Sequence, residues 1–294
     1  MTVQAALLPD GRRLHLQHGP IDLVIQAWGT PGEIAAAYRQ AVATFQTVLP
    51  DLVTELAVLR QALPAEQSAA RPVVAGDVAR QMVAACWPYR AGFITPMAAV
   101  AGAVADHVLQ AMLAGRDIAK AYVNDGGDIA LSLAAGETLD CGLVTDLLTP
   151  QLAGRLHLTS MMRIGGIATS GAPGKGSGGR SFSLGIADAV TVLARDAASA
   201  DAAATVIANA VDLPGHALIE RATASSLDPD SDLGQRLVTL SVPRLSPDEV
   251  ATALANGRCV AESLCQSGMI EAVILALQDE IRLCGTLLQQ RLAA

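Results

Sequence analysis

"GGIATSGAPGKGSGGRSFSLGIADAVTVLARDAASADAAATVIANA", residues 165–210, is the stretch that decides the fold. Seven of its first fifteen residues are glycine; a β-type run, "AVTVLA", follows, and an alanine-rich segment carrying Asp201 and Thr205 closes it. Loop, strand and helix thus follow one another without a linker, as in an α+β chain. The spacing predicts a helix over 199–211, with Ser199 as its cap and Asp201 in the first turn, where a carboxylate complements the helix dipole. Asp201 and Thr205, four residues apart, share one face of a helix that is otherwise small and apolar. Two hard oxygens aimed together suit Mg²⁺, with phosphate and backbone oxygens filling the octahedron.

The glycine loop 171–179, "GAPGKGSGG", is not a Walker A loop, because Lys175 is followed by Gly176 rather than by Ser or Thr. A lid that wraps phosphate, with Thr169, Ser170, Lys175 and Arg180 as donors, and a plain surface loop are both compatible with this composition.

Upstream, "YVNDGGDIAL" (122–131) reads as a strand, a Gly-Gly turn and a second strand. The turn explains the glycines but not the crowding of Asn124, Asp125 and Asp128. Amides freed at Gly126 and Gly127 can form an anion-holding nest, and Asp128 can accept from a ribose or ring donor. The chain opens with β pieces, "LLPDGRRLHLQ" around a Pro-Asp-Gly turn and then "IDLVIQAWG". Residues 32–62 read as a long helical stretch interrupted near Pro50, and 77–87 as a further helix. In 92–115, Thr95 can cap, Pro96 suits a first helical position, and apolar residues recur at helical spacing, interrupted by Asp106 and His107. The order of β pieces and one helix recurs after residue 165, as a divergent internal duplication would leave it. Residues 212–235 read as a surface connection, 236–243 as a strand, and Ser246 with Glu249 as a capping box. The run 269–285 fits a helix and a hairpin equally. One continuous α+β domain over 1–294 is expected, of mixed, largely antiparallel sheets packed with Ala-rich helices.

A hydrophobic share of 51% with only 3% aromatic residues requires a core of Ala, Val, Leu and Ile. The net charge of −8, with its 20 basic residues scattered, argues against nucleic acid. The N-terminus lacks the layout of a signal peptide, and 96–114 reads as a buried helix rather than a membrane span, so a cytoplasmic protein without a membrane partner is expected. Five cysteines without a C-x-x-C pair suggest buried free thiols.

"TPMAAVAGAVAD", "NDGGDIAL", "GGIATSG" and "VTVLARDAASADAAAT", in that order over residues 95–210, resemble the uncharacterised ApbE-like family, a branch of the FAD:protein FMN transferase (ApbE) superfamily. The resemblance implies an ApbE-like fold. It also implies a flavin site (FAD or FMN) lined by Asn124, Gly126, Gly127, Asp128, Thr169 and Ser170, and Mg²⁺ ligated by Asp201 and Thr205. The loop and the helix would then enclose a small phosphate-bearing molecule. One departure stands out: the transferases carry a histidine in a Ser-His-Ile-Ile-Asp-Pro segment, and here "FSLGIADAV" puts Leu184 at that position. The function expected is binding of a flavin or other phosphate-bearing metabolite with Mg²⁺, in an enzyme of cofactor metabolism. The alternative is a non-catalytic ligand-binding or assembly module that kept the scaffold without FMN transfer. Neither reading names the reaction, and a homo-oligomer is compatible with both.

Overall fold

The computed structural model describes residues 2–144, 152–171 and 182–285. The chain divides into two compact units: Met1–Asp140 with His157–Ala168 and Ala194–Ala202, and Cys141–Leu156 with Thr169–Leu193 and Ala203–Ala294.

In the first unit, strands β1 (Gln4–Leu7), β2 (Leu14–His18), β3 (Ile21–Gly29), β4 (Ile118–Asp125) and β5 (Asp128–Leu133) pair antiparallel in that order. Strand β8 (Gly166–Ser170) then adds beside β5, with Ile167 opposite Ile129. Alternation makes β2 and β3 two-faced, and Leu14, Leu16, Leu23 and Ile25 turn inward. Helices α1 (Pro31–Leu59) and α3 (Val100–Leu113) cover that face, and α2 (Asp77–Cys86) packs against both helices. Each large apolar side chain buried there, such as Phe45, Met82 or Met112, contributes about 1.5–3 kcal/mol. Strands β6 (Thr138–Val144) and β7 (Leu152–Thr159) pair with each other.

Pro50 does not interrupt the first helix: α1 runs unbroken through it. The proline removes one bond to the carbonyl of Gln46, but both residues are exposed, so water takes the orphaned oxygen. The buried stripe Ala37, Ala41, Phe45, Val48 and Leu52 spans the site and holds the two halves in line. A 3₁₀ turn, Pro96–Ala99, precedes α3, so Thr95 stands at the N-cap position of that turn, with no side-chain cap bond, rather than at the start of the helix proper.

In the second unit, β9 (Ala189–Ala194), β12 (Ala272–Leu277) and β13 (Glu280–Cys284) pair antiparallel, and α6 (Pro247–Gln266) packs on β12 and β13. Its N-terminus carries the expected capping box of Ser246 and Glu249. Residues 212–235 are more than a connection, since they include β10 (Glu220–Thr223), which pairs with β11 (Leu237–Ser241), and the short helix α5 (Ala224–Leu227). The run 269–285 is a hairpin. Its turn lacks glycine, and Gln278 takes φ 51° there. Tertiary bonds hold that conformation: the Gln278 amide N–H reaches Asp188, its side chain donates to the Pro243 carbonyl at 2.8 Å, and Leu245 N–H donates to its Oε1 at 3.3 Å.

Helix α4 (Ala197–Ala210) follows β9 directly. None of the five cysteines is in a disulfide; Cys86 and Cys284 are buried, whereas Cys259 is exposed.

Candidate functional site

The Gly126-Gly127 turn is the tightest hairpin connection possible, with Asp125 opposite Asp128 in the register. Both glycines have positive φ, 65° and 117°, which a two-residue turn of this hand demands. Asn124 Oδ1 accepts the Gly127 N–H at 2.8 Å, so this side chain closes the turn. The turn also sets two carboxylates directly across from each other, an arrangement that disfavours the hairpin unless something offsets the repulsion.

That repulsion extends to Asp201. Its carboxyl is raised well above the ordinary value, first by burial and then by the charges of Asp128 and Asp125. Amides oppose the shift: Gly102 N–H donates to Asp201 Oδ2 at 3.1 Å, and Ala101 N–H also bonds it. These are first-turn donors of α3, left without partners by the helix itself. Asp201 therefore caps α3, and it does not lie in the first turn of its own helix. Ser199 is not the cap of α4 either. The helix starts two residues earlier, and Asp196 Oδ1 accepts from Ser199 N–H at 2.7 Å.

The exchange is reciprocal. Asp106, in the middle of α3, accepts Ala197 N–H at 3.0 Å and Ala198 N–H at 2.9 Å, the first two amides of α4. With Ala200 N–H bonded to the Asp196 carbonyl at 3.2 Å, every first-turn amide of α4 has an acceptor. Burial lifts Asp106 to about 7 against the pull of its two amide bonds, with the Asp196 charge adding to the rise. The two helices cross at Gly102, where an added Cβ would stand 2.3 Å from the Ala197 carbonyl oxygen. Cys86, at the end of α2, is raised by burial and by the Asp201 charge, and Tyr89 is raised by burial, Cys86 and Asp196, so residues 86–89 lie within electrostatic reach of this crossing.

The structure thus brings Asp128 and Asp201 together with Asp125, while Asn124, Gly126 and Gly127 form the adjoining turn. In the second unit, Thr169 Oγ1 and Thr191 Oγ1 lie 2.9 Å apart, so the Thr169 hydroxyl is engaged within the sheet. Ser170 ends β8, and Thr205 stands one turn beyond Asp201 on α4, partly buried. Leu184 is held at both ends of its peptide: its N–H donates to Asn209 Oδ1 at 3.1 Å, and its carbonyl accepts from Arg221 Nη1 at 2.7 Å. Of the glycine loop, residues 172–179 lie outside the described residues.

Mg²⁺ fits this donor set in one way only. Among the described residues no three His, Cys, Asp or Glu side chains converge as a metal cage. An ion here needs oxygens from phosphate or water beside one or two protein ligands, which is how Mg²⁺ is ordinarily held. Asp201 has lone pairs left beyond its two amide bonds, and the crowded Asp125 and Asp128 supply the surrounding negative field. Sequence spacing gives Asp106 no role beyond interrupting an apolar run and marks Asp125 only by its crowding in the turn.

A family model described as AbpE bacteria matches residues 5–283 of the chain. A UPF0280 protein of Methanospirillum hungatei is 34% identical over 153 residues, 49% of this chain and 55% of that protein. A UPF0280 protein of Methanothrix thermoacetophila is 43% identical over 121 residues, 40% of this chain and 46% of that protein. The chain spans about half the length of these curated relatives. Among solved structures, the ApbE protein of Thermotoga maritima superposes with TM-score 0.53 at 12% identity, covering 98% of each chain; the shared feature is the α+β fold.

Proposed function

Since the chain belongs to the family described as AbpE bacteria, we propose that it binds a flavin or another phosphate-bearing metabolite together with Mg²⁺, in the service of cofactor metabolism. The observation that carries this reading is the gathering of Asp125, Asp128 and Asp201, with the Asp201 carboxyl driven up by burial and by its neighbours' charges. Carboxylates within electrostatic reach of one another are what a divalent cation relieves. Asp201 and Thr205 would hold the ion, which supplies positive charge against the phosphate oxygens. The N-terminus of α3 keeps the Asp201 carboxylate in place, while Asn124 Oδ1 takes the Gly127 amide, against the expected nest, and leaves the Gly126 amide of the turn for an anion. By resemblance, Asn124, Asp128, Thr169 and Ser170 line the flavin. The proposal includes a cytoplasmic location, a small-molecule partner, no nucleic acid and no membrane, and it is compatible with a homo-oligomer.

One observation favours the second reading, a non-catalytic ligand-binding or assembly module. Leu184 offers no proton acceptor where the transferases carry histidine, and its peptide is pinned at both ends. A positioned general base contributes about 10²- to 10⁴-fold to proton removal from an attacking hydroxyl. Incubation with FAD, Mg²⁺ and a flavinylation target, read by in-gel flavin fluorescence, is expected to leave the target unlabelled while FAD itself is bound. Robust labelling would overturn the non-catalytic reading and require another base.

A further inference from the structure

We propose that Arg71 and Arg90, gathered on the ring of Trp87, form an oxyanion-binding site for a phosphate- or carboxylate-bearing small molecule. The Arg71 guanidinium carbon lies 5.6 Å from the Trp87 ring centroid and that of Arg90 lies 4.4 Å from it. An indole attracts one guanidinium readily; a second positive charge brought to the same ring adds repulsion that the ring alone offsets poorly. Arg13, Arg80 and Arg116 of the same unit each hold a carboxylate, so a guanidinium here can find one where the fold supplies it. Among the described residues no carboxylate pairs with Arg71 or Arg90.

Arg90 adds a second, independent observation. Of its five N–H donors, one on Nη1 reaches the Trp87 carbonyl at 3.3 Å, while Nε–H is buried with no acceptor among the described residues. A buried donor on a charged group without a partner is costly, and native structures that carry one have a water or ion to explain it. A planar guanidinium matches phosphate and carboxylate edge-on, and stacking on an aromatic ring fixes its plane for that purpose. Arg71, exposed on the segment before α2, supplies the solvent-side charge, and Arg90, half-buried with its Nε enclosed, the inner one.

None of these residues is used by the metal and flavin reading, so the two proposals fail separately. The test uses Trp87 as its own reporter: Trp28→Phe leaves it the single tryptophan. Sodium phosphate and sodium citrate are titrated separately at ionic strength held constant with NaCl, following the emission of Trp87. A saturable change with phosphate, with citrate or with both is expected, and the responding anion identifies the oxyanion class. Affinity should fall at least about tenfold in Arg90→Gln and in Arg71→Gln, and stay unchanged in Arg80→Gln, whose partner is Asp77. Arg71 is exposed, so its variant keeps the test decisive even where Arg90→Gln does not fold. Absence of a saturable response to either anion, or equal affinity in wild type and Arg71→Gln, overturns the proposal and leaves the pair as packing on Trp87.

Discussion

Gly102→Ala is expected to destabilise the protein by about 3 kcal/mol, the upper part of the range for forcing extra atoms into a closed contact. Helix propensity alone predicts the opposite sign, since alanine inside a helix is favoured over glycine by about 1 kcal/mol. The steric term wins because the atoms in the way are backbone: the Ala197 carbonyl oxygen at 2.3 Å, its carbon at 2.5 Å and the Ala198 nitrogen at 2.7 Å from the added Cβ. No rotamer relieves that. The helices α3 and α4 must move apart, which lengthens the bonds from Ala197 and Ala198 to Asp106 and from Gly102 to Asp201 together. Urea unfolding of the pair of proteins decides it. A variant as stable as wild type, or more stable, would mean that the crossing is looser than described and the mutual capping weak.

Asp106→Asn is expected to remove a pH dependence of stability that wild type carries, on top of a constant cost, since an amide offers one oxygen for the two N–H groups that Asp106 accepts. The Asp106 carboxyl stands at about 7 in the folded protein against 3.8 in a model compound. The folded state therefore binds the proton more tightly than the unfolded one. The stability this proton contributes is complete below the unfolded value and is lost as pH rises through the folded one. Each unit of difference is about 1.4 kcal/mol, so wild type should lose about 3 kcal/mol relative to the variant between about pH 5 and pH 8. Asp201, also raised, is present in both proteins and cancels from the comparison. Unfolding free energies measured across that window check the expectation, and a difference independent of pH would contradict the burial assigned to Asp106.

These two residues also mark the limit of what the sequence discloses. The α+β class, the opening strands, the Gly126-Gly127 hairpin and the capping box at Ser246 are set by residues close in the chain, and each is legible from local pattern. The start of α4 is not. Ser199 and Asp196 are both good caps, and the choice falls to Asp196 because Asp106, ninety residues away, takes the first two amides. The same distance hides the role of Asp201, whose apparent service to its own helix dipole is service to α3. Pro50 misleads because sequence gives the missing hydrogen bond but not the solvent face on which it falls. The hairpin over 269–285 is invisible for a related reason: Gln278 holds its positive φ through Asp188, Pro243 and Leu245 rather than through a turn residue of its own. For the candidate site, local spacing marks Asp201 and Thr205 as an oxygen pair and the crowding of Asp125 and Asp128 at the turn, whereas the electrostatic reach of that pair to Asp201 depends on the tertiary fold.

The central claim is that a phosphate-bearing ligand is held with Mg²⁺ at Asp201 and Thr205. Calorimetric titration of FAD, in Mg²⁺ and in EDTA, into wild type and Thr205→Val tests it most directly. Thr205 is the informative position because Asp201 also caps α3, so its loss would mix folding with binding. The account predicts FAD binding in Mg²⁺ that weakens at least about tenfold in EDTA and about as much in Thr205→Val with Mg²⁺ present. No binding of FAD in Mg²⁺, or one affinity shared by all four titrations, would contradict it.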